Sequence, residues 1–179
     1  MMDTIIVFII IFFIIFLLIS IRPAEIISRW HHYFDEFQFS STEFYTAFEH
    51  GIKRREIPNV LVGRNNYFEG GVLSQQRVYF KVSNGQYIFD VCAAPYGKSF
   101  FVSWWLKESK SVLELLLERF FPWSNRKTYY QLDTESMFRE SVHQAVLEAI
   151  EVMTKEKGVR GPSELEKQII MNPKLAFKL

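Results

Sequence analysis

The sequence predicts an α+β protein: an N-terminal transmembrane helix followed by a four- to five-stranded antiparallel sheet packed against helices. Three observations carry this. Residues Ile5 to Ile19 read IIVFIIIFFIIFLLI, an unbroken apolar run. From Asn59 to Leu106 the hydrophobic period approaches two, punctuated by turn signals. On either side of that region the period returns to 3.6, with capping residues at the predicted helix starts. Hairpins clustered between helices indicate helices covering one face of an antiparallel sheet, not a parallel nucleotide-binding sheet.

Residues 1-22 read as a transmembrane anchor. As a helix, Thr4 to Ile21 would extend about 27 Å, close to the roughly 30 Å hydrocarbon core. A cleaved signal peptide fits poorly, because no basic residue precedes the run and no A-x-A site comes after it. Arg22 and Arg29 come directly after the run, and Lys53, Arg54 and Arg55 come later. The positive-inside rule therefore predicts a single pass with the main domain in the cytoplasm. The one cysteine, Cys92, excludes an intrachain disulfide and fits a reducing compartment. The formal charge of +1, from 21 basic and 20 acidic residues, shows no footprint for nucleic acid.

Residues 23-39 predict a juxtamembrane amphipathic linker helix. Ile26, Ile27, Trp30, Tyr33, Phe34 and Phe37 recur at helical spacing. Trp30 and Tyr33 would then sit at the membrane interface, where these residue types concentrate.

Residues 40-158 predict the α+β domain. Ser40 and Glu43 have capping-box spacing, ahead of the apolar face Phe44, Tyr45, Phe48 and Ile52. The basic triplet Lys53–Arg55 suits that helix's C-terminus. Four strands come next. Gly70-Gly71 and Asn84-Gly85 mark the first two turns, and the loop around CAAPYGKS (Cys92 to Ser99) marks the third. Ser111 and Glu114 begin a short apolar helix, which Pro122 would stop. RKTYYQL suggests a fifth strand. A long helix then carries the stripe Phe138, Val142, Ala145, Val146, Ala149, Ile150 and Met153, and Gly158 ends it. Residues 159-179 form the tail, with a short helix expected from Ser163.

CAAPYGKS differs from the phosphate-loop pattern G-x-x-x-x-G-K-[ST] only in having Cys92 at the first glycine. Such a loop needs a helix directly after it, whose N–H groups face the phosphates. The residues from Ser99 onward instead read SFFVSWWL, rich in strand formers, and Pro95 removes one N–H. The segment therefore reads as a turn between strands. Neighbouring His31 and His32 would diverge by about 100° on a helix and chelate poorly. No metal, cofactor or catalytic motif is expected.

The candidate polar site is Asp90 with Arg77, Lys98 and Ser103, since an aspartate within an apolar strand needs a partner if buried. The candidate interface is Trp104, Trp105, Leu113, Leu116, Leu117, Phe120 and Phe121. The expected function is a membrane-anchored interaction or scaffold module, a subunit or adaptor of a membrane assembly with another protein as partner. Two alternatives differ in class. One is a small membrane-attached enzyme or nucleotide-binding protein using Asp90, Lys98 and Ser99. The other is a lipid or hydrophobic-ligand binder.

Overall fold

In the computed structural model, residues 2–20, 24–68, 76–121 and 127–172 are described. The expected Gly70-Gly71 turn and the Pro122 helix stop lie outside them. The elements in order are α1 (Met2–Ser20), β1 (Ala24–Phe34), α2 (Ser41–Arg54), β2 (Leu61–Phe68), β3 (Gln76–Asn84), β4 (Tyr87–Tyr96), β5 (Ser99–Ser109), α3 (Val112–Phe120), α4 (Tyr129–Glu156) and β6 (Ile170–Met171). The protein is α+β, with one six-stranded antiparallel sheet in the order β2-β3-β4-β5-β1-β6.

The meander β2 to β5 has the expected order. At its second turn Asn84 pairs with Tyr87, so Gly85 and Gln86 are the central residues. Gly85 has φ 56°, which a primed hairpin turn demands at its first central position. Register Phe80↔Val91↔Trp104 aligns inward positions across three strands. Helices α2 and α4 cover that face. Phe48 packs on Phe80 and Phe138 on Phe89, both edge-to-face at 5.3 Å.

Three sequence expectations are corrected. Residues 24–34 are strand β1, not a juxtamembrane linker helix, and β1 lies between β5 and β6. Trp30 is therefore a core residue, 1% exposed, not a membrane-interface anchor, whereas Tyr33 remains exposed. RKTYYQL is not a strand: Thr128 caps α4 through a reciprocal box with Gln131. The sheet gains its fifth and sixth strands from β1 and β6 instead. In the tail, residues 164–167 form one turn closed by Lys167 N–H on the Ser163 carbonyl, not a helix.

The N-terminal segment is helical from Met2 to Ser20, and its described side chains, Ile6 and Ile9 to Leu17, are exposed. Among the described residues no helix is long and apolar enough to cross a membrane, so the expected transmembrane anchor is not supported.

The basic triplet at the C-terminal end of α2 ties helices together. Arg54 and Arg55 reach Glu148 of α4 at 2.6 and 2.7 Å, and Lys53 pairs with Glu49. The hydrogen bond from Arg55 holds the Glu148 carboxyl below its usual range.

Candidate functional site

Alternation sends Arg77, Tyr79 and Lys81 of β3 to the sheet face away from α2 and α4. Register places Asp90 and Cys92 of β4 there too, with Phe101, Ser103, Trp105 and Lys107 of β5 and Arg29, His31 and Tyr33 of β1. This face is rich in aromatic rings and cations. Arg29 lies over the Trp105 ring at 5.5 Å.

The expected polar constellation separates on this face. Asp90 is 2% exposed and its carboxylate pairs with Lys107, its diagonal neighbour on β5, not with Arg77 or Lys98. Lys98 is exposed in the β4–β5 turn, where Tyr96 pairs with Ser99. That is six residues along β4 from Asp90, or roughly 20 Å. Ser103 is buried opposite Cys92 on one side and His31 on the other. The phosphate-loop lookalike is thus a tight hairpin with Gly97 at φ 62°. Its Ser99 hydroxyl donates to Asp35 Oδ1 at 3.0 Å. Strand β5, not a helix, comes after it, so no helix N-terminus faces a phosphate there.

Arg77 sits at a different feature. The β3–β4 ladder runs from Asn84↔Tyr87 to Tyr79↔Cys92 and stops. Both strands continue past that point, and Pro95 of β4 lacks an N–H to extend the pairing. The Tyr45 hydroxyl, from α2, takes the place of the next ladder bonds. It donates to the Val78 carbonyl at 2.7 Å and accepts from the Ala93 N–H at 3.0 Å. Burial pushes this phenol well above its ordinary range, so the proton that bridges the strands stays in place.

Beyond this wedge lies a cleft of about 270 Å³, lined by Tyr33, Arg77, Ala94, Pro95, Tyr96 and Phe101. Tyr96 is 67% exposed and Tyr33 49%. Among the described residues no carboxylate lies within salt-bridge reach of Arg77. The arrangement presents one cation among three rings, suited to an anionic group on an apolar or aromatic body. Replacing Tyr45 with Phe is expected to destabilise the fold by about 1–3 kcal/mol, because it strands the Val78 carbonyl and the Ala93 N–H. Urea unfolding measures the loss. Hydrogen exchange should quicken at Ala93, and unchanged exchange there would remove the wedge role.

Other candidates take structural places. Cys92 is buried; burial pushes its thiol up, against the pull of Arg77 and a hydrogen bond with Tyr79. That is an inert setting, not a nucleophile's. Among the described residues no cluster of three or more His, Cys, Asp or Glu could hold a metal. A larger groove, about 590 Å³, runs between α2 and α4; of its charged lining residues Glu43, Arg54 and Glu148, the last two pair with each other.

Of the expected interface residues, Trp104 is fully buried and belongs to the core. Its indole Nε1–H donates to His143 Nδ1 at 3.1 Å. Trp105 is half-buried on the opposite face, and Leu113 half-buried at the start of α3. Leu116, Leu117, Phe120 and Phe121 are exposed.

Two polar clusters escaped the sequence reading. His143 Nε2 faces the Lys167 carbonyl at 2.9 Å, and Trp30 Nε1–H donates to the Glu166 carbonyl at 2.7 Å. Together they clasp the C-terminal segment to the core. At the other end of β5, Lys127 bridges buried Glu108 and Glu135 at 3.0 and 2.7 Å, and Arg139 also reaches Glu135. The S/T-x-x-Q spacing at Thr128 was the one available signal for the start of α4; nothing local marks either cluster.

No family model, no curated protein and no solved structure matches the chain.

Proposed function

We propose that the protein is a membrane-attached interaction module whose cleft, lined by residues of β1, β3, β4 and β5, receives an anionic group on an apolar or aromatic part of a partner protein. The carrying observation is the cleft itself: Arg77 set among Tyr33, Tyr96 and Phe101 where two strands diverge. Aromatic and arginine anchors in a pocket characterise energetically dominant binding positions. The sheet face around the cleft adds the exposed Arg29 and His31.

Attachment rests on α1. It is a 19-residue helix, about 28 Å long, without a basic residue in its last turn. Among the described residues this helix falls short of a full crossing, and the attachment proposed is insertion of its apolar surface, the shortfall being absorbed by local thinning of the bilayer. The charge bias after residue 22 supports a cytoplasmic side for the domain. Attachment would confine the cleft to two dimensions and raise its effective concentration toward a membrane-bound partner.

A photoreactive side chain placed at Tyr96 in native membranes should yield a discrete protein adduct. Arg77→Glu should reduce that adduct at least severalfold, and the same probe at Met137, exposed on α4, should give none. Equal crosslinking from both positions, or no effect of Arg77→Glu, would remove the cleft as a recognition site. In parallel, Ile10→Lys with Phe13→Lys should release the chain into alkaline carbonate, since each lysine costs about 2.5–3.5 kcal/mol at mid-bilayer depth. Release of the unmodified chain would remove the attachment.

A further inference from the structure

The register sets two helices at one end of the sheet. Ala24, the first residue of β1, pairs with Ser109, the last residue of β5. Helix α1 ends shortly before Ala24, and α3 begins shortly after Ser109. The element that α3 touches most is α1.

The surface of α3 is not that of an ordinary solvated helix. Leu115, Leu116 and Leu117 are exposed at three successive positions, and successive residues on a helix are about 100° apart. Phe120 is 71% exposed, and Phe121 beyond the helix is exposed as well. Among the described residues, apolar side chains therefore reach the surface on several sides of the helix. A contiguous patch of this kind marks a contact surface, not a water-facing one. At about 14 Å the helix is too short to cross a bilayer. Its start is fixed by a full capping box, Ser111 with Glu114, and a helix this short gains most of its stability from the surface it packs on.

The start of α4 lies at the same end. The Tyr87 hydroxyl donates to the Gln131 carbonyl at 3.4 Å, and Tyr87 pairs with Glu108, beside Ser109. Tyr129 and Tyr130 are there, almost fully exposed. Tyrosines at that level suit the headgroup zone, where an apolar ring and a polar tip are both accommodated.

We propose that α3 is a second lipid-contacting element, lying in the boundary between headgroups and acyl chains beside α1. The occupant of its apolar surface is the bilayer. The argument is continuity: α3 extends the exposed apolar surface of α1, its main packing partner, at the end of the sheet to which α1 is joined. The inference rests on the attachment through α1 proposed above. Its consequence is orientation. Two contacts, unlike one, fix how the domain is turned relative to the membrane. They also point the opposite end of the strands, with the Arg77 cleft, away from the membrane.

The test uses the full chain with Cys92→Ala, reconstituted in phosphatidylcholine vesicles containing a minor share of phosphatidylglycerol. Nitroxide labels go singly at Leu117→Cys and Phe120→Cys, with references at Ile10→Cys in α1 and Met137→Cys on α4. Collisional broadening by oxygen, which partitions into lipid, is compared with broadening by a water-soluble nickel chelate. At 117 and 120, oxygen should exceed the chelate severalfold, as at 10; at 137 the order should reverse. If 117 and 120 favour the chelate while 10 favours oxygen, the α3 inference falls and attachment through α1 stands. If 10 favours the chelate as well, both fall. Shielding of 117 and 120 from both reagents would mean a protein contact, such as a second copy of the chain, and would overturn the lipid assignment.

Discussion

Replacing Trp104 with alanine is expected to cost about 3–5 kcal/mol, the range for removing a buried indole and leaving a cavity. Trp104 is fully buried, packs edge-to-face on Phe89 at 5.0 Å and on His143 at 5.6 Å, and donates to His143 Nδ1. Urea unfolding reads the loss directly, and a cost below about 1 kcal/mol would mean the site collapses without penalty. A companion prediction concerns pH. His143 Nδ1 accepts from Trp104, so Nε2 carries the proton and donates to the Lys167 carbonyl, which makes the ring neutral. Burial lowers the pKa of His143, against the pull of the Lys167 carbonyl, and burial also lowers that of His32. Below about pH 6.5 the unfolded chain takes up protons that the folded chain refuses. Stability is therefore complete above that pH and falls as the pH drops toward the lowered folded values. His143→Gln keeps one acceptor and one donor without titrating. It should flatten the slope between pH 6.5 and 5, leaving the share due to His32. An unchanged slope would assign the acid sensitivity elsewhere.

Lys127→Met is expected to cost about 3–5 kcal/mol, because it leaves buried carboxylates without their shared cation. Glu108 and Glu135 are both nearly inaccessible and face Lys127. Gln86 remains on Glu108 at 2.8 Å and Arg139 on Glu135 at 2.9 Å, so Glu108 loses the only cation seen on it among the described residues. Adding Glu108→Gln should recover most of the loss, since the stranded charge is then removed. No recovery would show that packing over Tyr87, 5.4 Å from the ammonium, carries the effect instead. Burial pulls the lysine pKa down, but the bonds from Glu135 and Glu108 outweigh it and raise it overall. The contribution is therefore intact below the ordinary lysine value of about 10.5 and lost only as the pH rises through the raised one.

The misread first strand shows how local pattern misleads. In AEIISRWHHYF, Ile27, Trp30 and Phe34 stand three and four apart, the spacing of a helix face. In β1 a bulge between Ile26 and Ser28 inserts Ile27, which still packs in the core. Inward alternation then runs through Trp30, His32 and Phe34, with a histidine at the position that would have revealed a period of two. A bulge and one inward polar residue are enough to turn a strand's period into a helix's. Thr128 shows the converse. Thr, Tyr and Tyr favour strand, yet the Thr128–Gln131 box starts a helix, and tertiary packing of the long apolar stripe settles the contest.

Sequence alone determined the features that depend on neighbours a few residues apart. These are the apolar N-terminal run, the caps at Ser40 and Ser111, the turn at Gly85, the four-strand meander and the apolar stripe of α4. Each arises from backbone conformation and side-chain period, which are local properties. Only the tertiary structure decided which residues meet. It gave Asp90 to Lys107 in place of Lys98, because strand register sets the partner across a sheet. It also drew Tyr45 across 48 positions in the chain to bridge β3 and β4 near the cleft that Arg77 lines. A hydroxyl's partner in a buried layer is chosen by how a helix seats on a sheet, and no local spacing in the chain encodes that seating.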